Sequence, residues 1–415
     1  MQVLKMKIKN TFSIKINELL FFIAYGIFLF FSTLSTTLYY KYFSGRIYSM
    51  IILMCMLIIT LGEILYSGKC GWKKQTAIVS AALIYIIISY SSNSFFTTIG
   101  LIPFLLLSAT RVEFKKIAKF TAVALFAILT FVILSAELHI IKNVVVHSAS
   151  GRTRYFLGFR FPLNAPAIMF NITALWLYYR KNSLKIIEAA ALLLINLWLY
   201  KKTDSKLSFV SAVIIIAAFT ILCFVLKYAE DFLVKRKTLT FLLASSFVIA
   251  FAFSIFAALT YDSSNEWMRG LNRLTEDRLK FANMSLTQYG VTLFGEDIPW
   301  VGYGLDDSGK AAIGVYANYF YVDNMYIQIM QKYGLIFMAF YIVFNTMAMF
   351  KCRKNNDIYM LLIVSLICMK CIVDNLSFYM YYNTFWFIIS CQLFNNVKLK
   401  DTYIYRFLMK KIKAA

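Results

Sequence analysis

The chain has 415 residues, of which 60% are hydrophobic, 18% aromatic and only 15% charged. Its mean hydropathy is +0.68, and its apolar segments run to roughly 17–22 nearly uncharged residues, so a soluble globular fold is excluded: that many apolar helices would have no polar face for water. The net charge of +23 needs no nucleic acid to explain it, because lysines at the cytoplasmic ends of membrane helices supply such a balance.

In chain order, a basic stretch (Lys5, Lys7, Lys9, Lys15) leads into the first apolar segment, and no small-residue cleavage site follows. This predicts a retained first helix rather than a removed signal peptide. Twelve spans are predicted, at 19–38, 47–66, 76–90, 95–110, 118–141, 162–179, 186–200, 207–226, 239–260, 325–350, 357–375 and 378–395. The third and fourth are short and joined by Ser91-Ser92-Asn93, which reads as a hairpin. With the N-terminus inside, the internal segments hold 27 of the 43 lysines and arginines, so both termini are expected in the cytoplasm. The seven cysteines fall in spans or inner loops, and Cys368-x-x-Cys371 reads as two thiols on one helix rather than a redox or zinc site. No internal repeat is visible. Three regions follow: residues 1–260 with nine spans, an external loop at 261–324 between spans nine and ten, and 325–415 with three spans and a basic tail.

Two outer loops break the charge rule. The first, 142–161, contains "SGRTRYFLGFR", with Lys142, Arg152, Arg154 and Arg160 and no acid. Arginine grips phosphate through planar, bidentate hydrogen bonds, and three arginines on the side that should be poor in them suggest an anion. Contact with lipid headgroups, or with acids of the long loop, is the plainer reading of any one of them.

The long loop carries nine acids against five bases, nearly half of the chain's 20 acids. Such an acidic lid beside a basic loop suggests a cleft between them. "SSNEWMRGL" predicts a helix capped by Ser263 or Ser264, and "LTEDRLKFANMSLTQYG" a second, capped by Thr275 and stopped at Gly290. Arg269 and Arg273 share a face of the first. The Gly-rich stretch after Gly290 fits no nucleotide motif, and Asp306-Asp307-Ser308-Gly309 lacks the calcium-loop pattern. Trp300, Tyr316 and Tyr319 are candidates to stack on sugar rings, against the plainer reading as an interfacial aromatic belt. Asp323 stands where span ten enters the membrane, a costly place for an acid unless it is paired, functional or an N-cap. Among the few charges within spans, Lys370 and Asp374 are one helical turn apart and should neutralise each other.

The segments "LTEDRLKFANMSLTQYGVTLFG" and "VDNMYIQIMQKYGL", the loop "SGRTRYFLGFRFPLNAP" and the many spans together resemble the Wzy-type polysaccharide polymerases of the O-antigen ligase/polymerase superfamily. "YKKTDSKLSFV" is similar to an external element of that family, with Lys206 where arginine is common. Ligase relatives often have His-Asn or His-Ser where this chain has Asp323-Asn324, which favours polymerase over ligase. The resemblance implies an all-α polytopic membrane protein with a GT-C-like fold in the bacterial cytoplasmic membrane. It implies an enzyme that joins undecaprenyl-pyrophosphate-linked oligosaccharide repeat units on the outer face, with no cofactor, no metal and no nucleic-acid partner. Its surroundings would be membrane lipid, a flippase and a chain-length regulator. A pyrophosphate leaving group then needs positive charge, assigned to Arg154, Arg160 and Arg278 with Arg152 in support. The acceptor hydroxyl needs a base, for which Asp323 is the first choice and Glu296 the second. A ligase-like glycan transferase and a polysaccharide flippase or transporter are the competing readings; the second would favour internal repeats and midplane charges.

Overall fold

The computed structural model describes residues 2–65, 72–147, 153–225, 235–302, 304–306, 309–310 and 319–394, without the side chains of residues 2–15, 72, 73 and 225. Among these the chain is mostly helical. The helices are α1 Gln2–Leu34, α2 Arg46–Leu65, α3 Trp72–Ser91, α4 Ile102–Ser108, α5 Phe114–Glu137, α6 Asn164–Arg180, α7 Ile186–Thr203 and α8 Lys206–Thr220. They continue with α9 Lys237–Ala244, α10 Ser246–Leu259, α11 Glu266–Leu274, α12 Arg278–Tyr289, α13 Met325–Lys354 and α14 Ile358–Lys370. Six are long and apolar enough to cross a membrane, or seven if the bent pair α9–α10 is one span.

Several predicted spans take another form. The fourth is only α4 with one 3-10 turn, Ala109–Arg111. The ninth is broken by 60° between α9 and α10, where Ser245 and Ser246 meet and the Ser245 amide is shared between the Phe241 and Leu242 carbonyls. The twelfth is a chain of 3-10 and π turns, Thr384–Phe387 and Ile389–Leu393. There the side-chain amides replace helix bonds: Asn383 accepts from the Phe385 amide at 3.1 Å and donates to the Ser377 carbonyl at 3.0 Å. Asn171 of α6 donates to the Thr384 hydroxyl at 3.0 Å.

The loop 142–161 is not all irregular. Val145–His147 (β1) pairs antiparallel with Thr153–Tyr155 (β2), Arg154 facing Val146. After the hairpin, α6 runs through the middle of the bundle, buried along most of its length against α5, α7 and α8.

Contacts sort the connections into two groups. At one end Glu63 pairs with Arg111 and Lys74, each at 3.0 Å, Glu18 with Lys116 at 2.7 Å, and Asp357 with Lys181 at 3.0 Å. Arg353 donates to the Lys237 carbonyl there. At the other end Thr37 bridges Phe159, Arg160 meets Leu305, and Arg154 meets Asp204. Loops predicted on the same side of the bilayer therefore touch each other.

The predicted tenth span is divided. Within α13, Gly334 has φ +86° and ψ 169°, so the helix is interrupted between Tyr333 and Leu335. The amides released by the break find carbonyls on the strap 290–296: Leu335 donates to Thr292 at 3.0 Å and Ile336 to Leu293 at 3.2 Å. The Glu296 amide returns to the Gln331 carbonyl at 2.9 Å. Gln331 is buried and fixes the whole loop. Its Nε2 donates to the Ser285 carbonyl at 3.0 Å and the Gly290 carbonyl at 2.9 Å, and its Oε1 accepts from the Ser285 hydroxyl at 2.8 Å. Gln331→Leu removes two hydrogen bonds from buried Ser285 and one from Gly290, and we expect a loss of about 2–4 kcal/mol. Thermal unfolding in detergent, with faster proteolysis within 285–300, is the check.

Candidate functional site

The sequence between α11 and α12 turns tightly. Glu276 and Asp277 have φ of +51° and +64°, and Asn272 holds the turn by donating to Asp277 at 2.7 Å and accepting from the Lys280 amide at 3.0 Å. Thr275 does not cap α12 as predicted; its hydroxyl bonds back to the Leu271 and Asn272 carbonyls at the end of α11. Likewise Asn265, not Ser263 or Ser264, caps α11, because Asp262 has already captured Ser264 through its amide and hydroxyl. Gly290 does end α12, with φ +64°. The turn places Arg278 in the first position of α12, facing Asp323.

Arg278 Nε lies 3.1 Å from Asp323 Oδ2, and both side chains are half-buried. Asn324, not Asp323, caps α13, accepting from the Ile327 amide at 3.2 Å. Asp323 thus stands one residue outside a helix N-terminus, whose partial positive charge favours a carboxylate. Burial raises the Asp323 carboxyl above its ordinary pKa, opposed by Arg278 and reinforced by Asp374 and Glu276. Burial works against the charge of Arg278, yet Asp323 at its side carries the guanidinium above its ordinary value. Deprotonated Asp323 can accept a proton, and the Arg278 charge beside it favours that deprotonated form.

Behind this pair is a second polar layer. Lys370 and Asp374 form a buried ion pair, and Ser377 Oγ donates to Asp374 at 3.2 Å. Lys370 Nζ lies 5.4 Å from the centre of the Phe170 ring on α6. The Tyr321 hydroxyl accepts from Gln328 at 3.0 Å and Asn375 at 2.9 Å, and Asn375 also donates to Gln328 Oε1 at 3.1 Å. Burial raises the Tyr321 phenol above its ordinary pKa, so it stays a neutral donor. The mutual neutralisation expected of Lys370 and Asp374 is found; their place beside Asp323, which was not foreseen, comes from the turn after α14 folding back on the start of α13, where the Met325 amide donates to the Cys371 carbonyl at 3.0 Å. Lys370→Met alone leaves a buried carboxylate, and we expect it to cost about 3–5 kcal/mol. K370M/D374L, which removes both charges, should recover most of that, read as the detergent melting temperature of the two variants.

The other predicted residues are placed as follows. Arg154 projects from β2 and donates to the Asp204 carbonyl at 3.2 Å, joining the hairpin to the turn between α7 and α8. Arg160 makes a two-point clasp with the long loop: its Nε donates to the Leu305 carbonyl at 3.0 Å and its carbonyl accepts from the Leu305 amide at 2.9 Å. Its guanidinium lies 5.6 Å from the Tyr40 ring centre. Glu296 is exposed, and its backbone is tied to Gln331, eight residues and about 12 Å along the helical segment from Asp323, so it does not share the site. Trp300 donates its indole N–H to the Ser285 hydroxyl at 3.1 Å and packs 6.4 Å from Tyr321, so its polar handle serves the fold. Tyr319 stacks edge-on with Phe281 at 5.2 Å, beside Arg278 on α12. Arg152 and Tyr316 lie outside the described residues. Arg269 pairs with exposed Glu266 at 3.6 Å, an ordinary surface contact. Cys55, Cys352, Cys368, Cys371 and Cys391 are free thiols, and among the described residues no group of three or more His, Cys, Asp or Glu could hold a metal ion.

Sequence reasoning missed Gln328, Asn375 and Ser377. Their signal was there as amides and hydroxyls inside or beside apolar runs, a pattern that asks for partners in a membrane. The chain matches no family model, no curated protein and no solved structure.

Proposed function

We propose that this chain is a polytopic membrane enzyme, with about twelve membrane passes counting its broken and short helices and a GT-C-like arrangement. It would join lipid-linked oligosaccharide repeat units on the outer face of a bacterial cytoplasmic membrane. The observation that carries this reading is the Arg278–Asp323 pair at 3.1 Å, where a base with a raised pKa meets a guanidinium at the junction of the long loop and a membrane helix. The residue words quoted above supply the family resemblance.

The chemistry is a substitution at the anomeric carbon of the growing chain. The acceptor sugar oxygen forms the new C–O bond while the bond to undecaprenyl pyrophosphate breaks, the electron pair leaving with the phosphate. The acceptor proton passes to Asp323. Arg278 turns toward the pyrophosphate as charge builds there. Releasing Arg278 removes the counter-charge of Asp323, which makes it a stronger base as the leaving group departs. Arg160, whose Nε and carbonyl clasp Leu305, supports this by holding the two outer loops together, and Tyr319 offers a ring beside Arg278.

Purified protein in phospholipid vesicles, given undecaprenyl-pyrophosphate repeat units and no nucleotide sugar, should produce a ladder of longer glycans. Repeats that cross the bilayer without being joined would instead identify a transporter.

A further inference from the structure

α11 has three faces, not two. At 100° per residue, Asn272 and Met268 turn inward, and Asn272 is buried against the turn into α12. Glu266, Arg269 and Arg273 share a second, charged face. Trp267, Leu271 and Leu274 form a third, apolar face; Leu271 is half-buried, but among the described residues nothing covers Trp267, 67% exposed, or Leu274, 83% exposed. Gly270 beside them meets no neighbouring atoms, so that flank is open too.

The position of this helix says what covers it. α11 begins seven residues after Leu259, the last residue of the apolar α10, whose Phe256 and Leu259 are themselves about 65% exposed as lipid-facing groups are. The linking turn is compact, with the Asn265 amide bonded to the Asp262 carbonyl and the Asp262 amide to the Met268 sulfur. A short helix held this close to the end of a span lies at the membrane–water boundary. Its Trp and Leu face with flanking arginines is the composition of a helix that lies in that plane.

We propose that α11 is an interfacial anchor that seats Trp267, Leu271 and Leu274 in the outer acyl–headgroup boundary of the same bilayer, with Arg269 and Arg273 at phosphate level. Through Asn272, which holds Asp277 and the Lys280 amide, the anchor fixes the depth of α12 and so of Arg278. The proposal does not depend on the enzymatic reading, since depth can be measured without activity.

The test uses the full chain reconstituted in phosphatidylcholine vesicles, with acyl chains brominated at the headgroup end or near the terminal methyl. The chain has six tryptophans, so Trp267 is read as the difference between wild type and W267F. Loss of most of the Trp267 emission with headgroup-end bromine, much less with methyl-end bromine, and little quenching by aqueous iodide is the expected result. L271S/L274S should restore iodide access to Trp267 while leaving the emission of the other tryptophans unchanged. Full iodide quenching of Trp267 in the wild type, or protection from both quenchers as a protein partner or second copy would give, overturns the proposal.

Discussion

Arg278→Ala and Asp323→Asn should each abolish the glycan ladder, with losses of about 100-fold or more, but they should differ in pH dependence and stability. The base must be deprotonated, and burial raises its pKa, so activity should rise with pH along a limb that lies above the ordinary carboxylate range. In R278A the guanidinium no longer opposes burial. The Asp323 pKa then rises further, and residual activity should need a still higher pH. Stability runs the other way. A carboxyl whose folded pKa exceeds its unfolded value binds more protons when folded, so stability falls as pH rises between the two values. R278A widens that window and should melt lower at pH 8 than at pH 5 relative to wild type. R278A/D323N, with no carboxylate to isolate, should lose this pH dependence and stay inactive. Detergent melting curves at the two pH values and a ladder assay across pH separate these outcomes. Full activity in D323N would remove Asp323 as the base.

This pair shows how far sequence alone reaches. Asp323 was conspicuous because an acid at the mouth of an apolar span is expensive, and Arg278 because of the words around it. That they touch could not be read, since 45 residues separate them and the turn that aims Arg278 depends on Asn272 bonding across to Asp277 and Lys280. The apolar periodicity marked the long helices well because span length and composition are local properties. It overextended at 95–110, where the Thr97 hydroxyl takes the Gly100 amide ahead of Pro103, at 239–260, where the chain bends by 60° at Ser245–Ser246, and at 378–395, where Asn383 takes backbone bonds. The charge anomaly at 150–160 was real, yet Arg154 and Arg160 each reach a backbone carbonyl on another loop. Charge excess tells that a cation is wanted on that side; only coordinates tell whether it holds a ligand or a loop. Trp300 teaches the same lesson, since an indole at a loop tip looks free until Ser285 is found beneath it.

Gly334→Ala should be the most damaging single substitution outside the charged site, with a loss of about 3 kcal/mol or more and little folded protein recovered. Two independent costs add. The backbone at φ +86° and ψ 169° is a region essentially reserved for glycine. A Cβ built there also runs into the Leu293 carbonyl and the Gly295 amide, which are backbone and cannot swing aside. Gly295 is its mirror: at φ +87° its own Cβ would meet the Lys332 carbonyl. The two glycines let the strap 290–296 and the break in α13 approach closely enough for the Leu335 and Ile336 amides to be satisfied. In a membrane those amides have no water to turn to, so separating the strap leaves both unpaired at a cost that no local adjustment offsets. G295A should therefore resemble G334A, and because each mutation disrupts the same contact, the double variant should be little worse than either alone. A control at Gly270, where an added Cβ meets nothing, should leave yield and melting temperature near wild type. If G334A purified with a wild-type melting temperature, the break in α13 would not be the joint that holds the long loop, and Arg278 would owe its position opposite Asp323 to α11 and α12 alone.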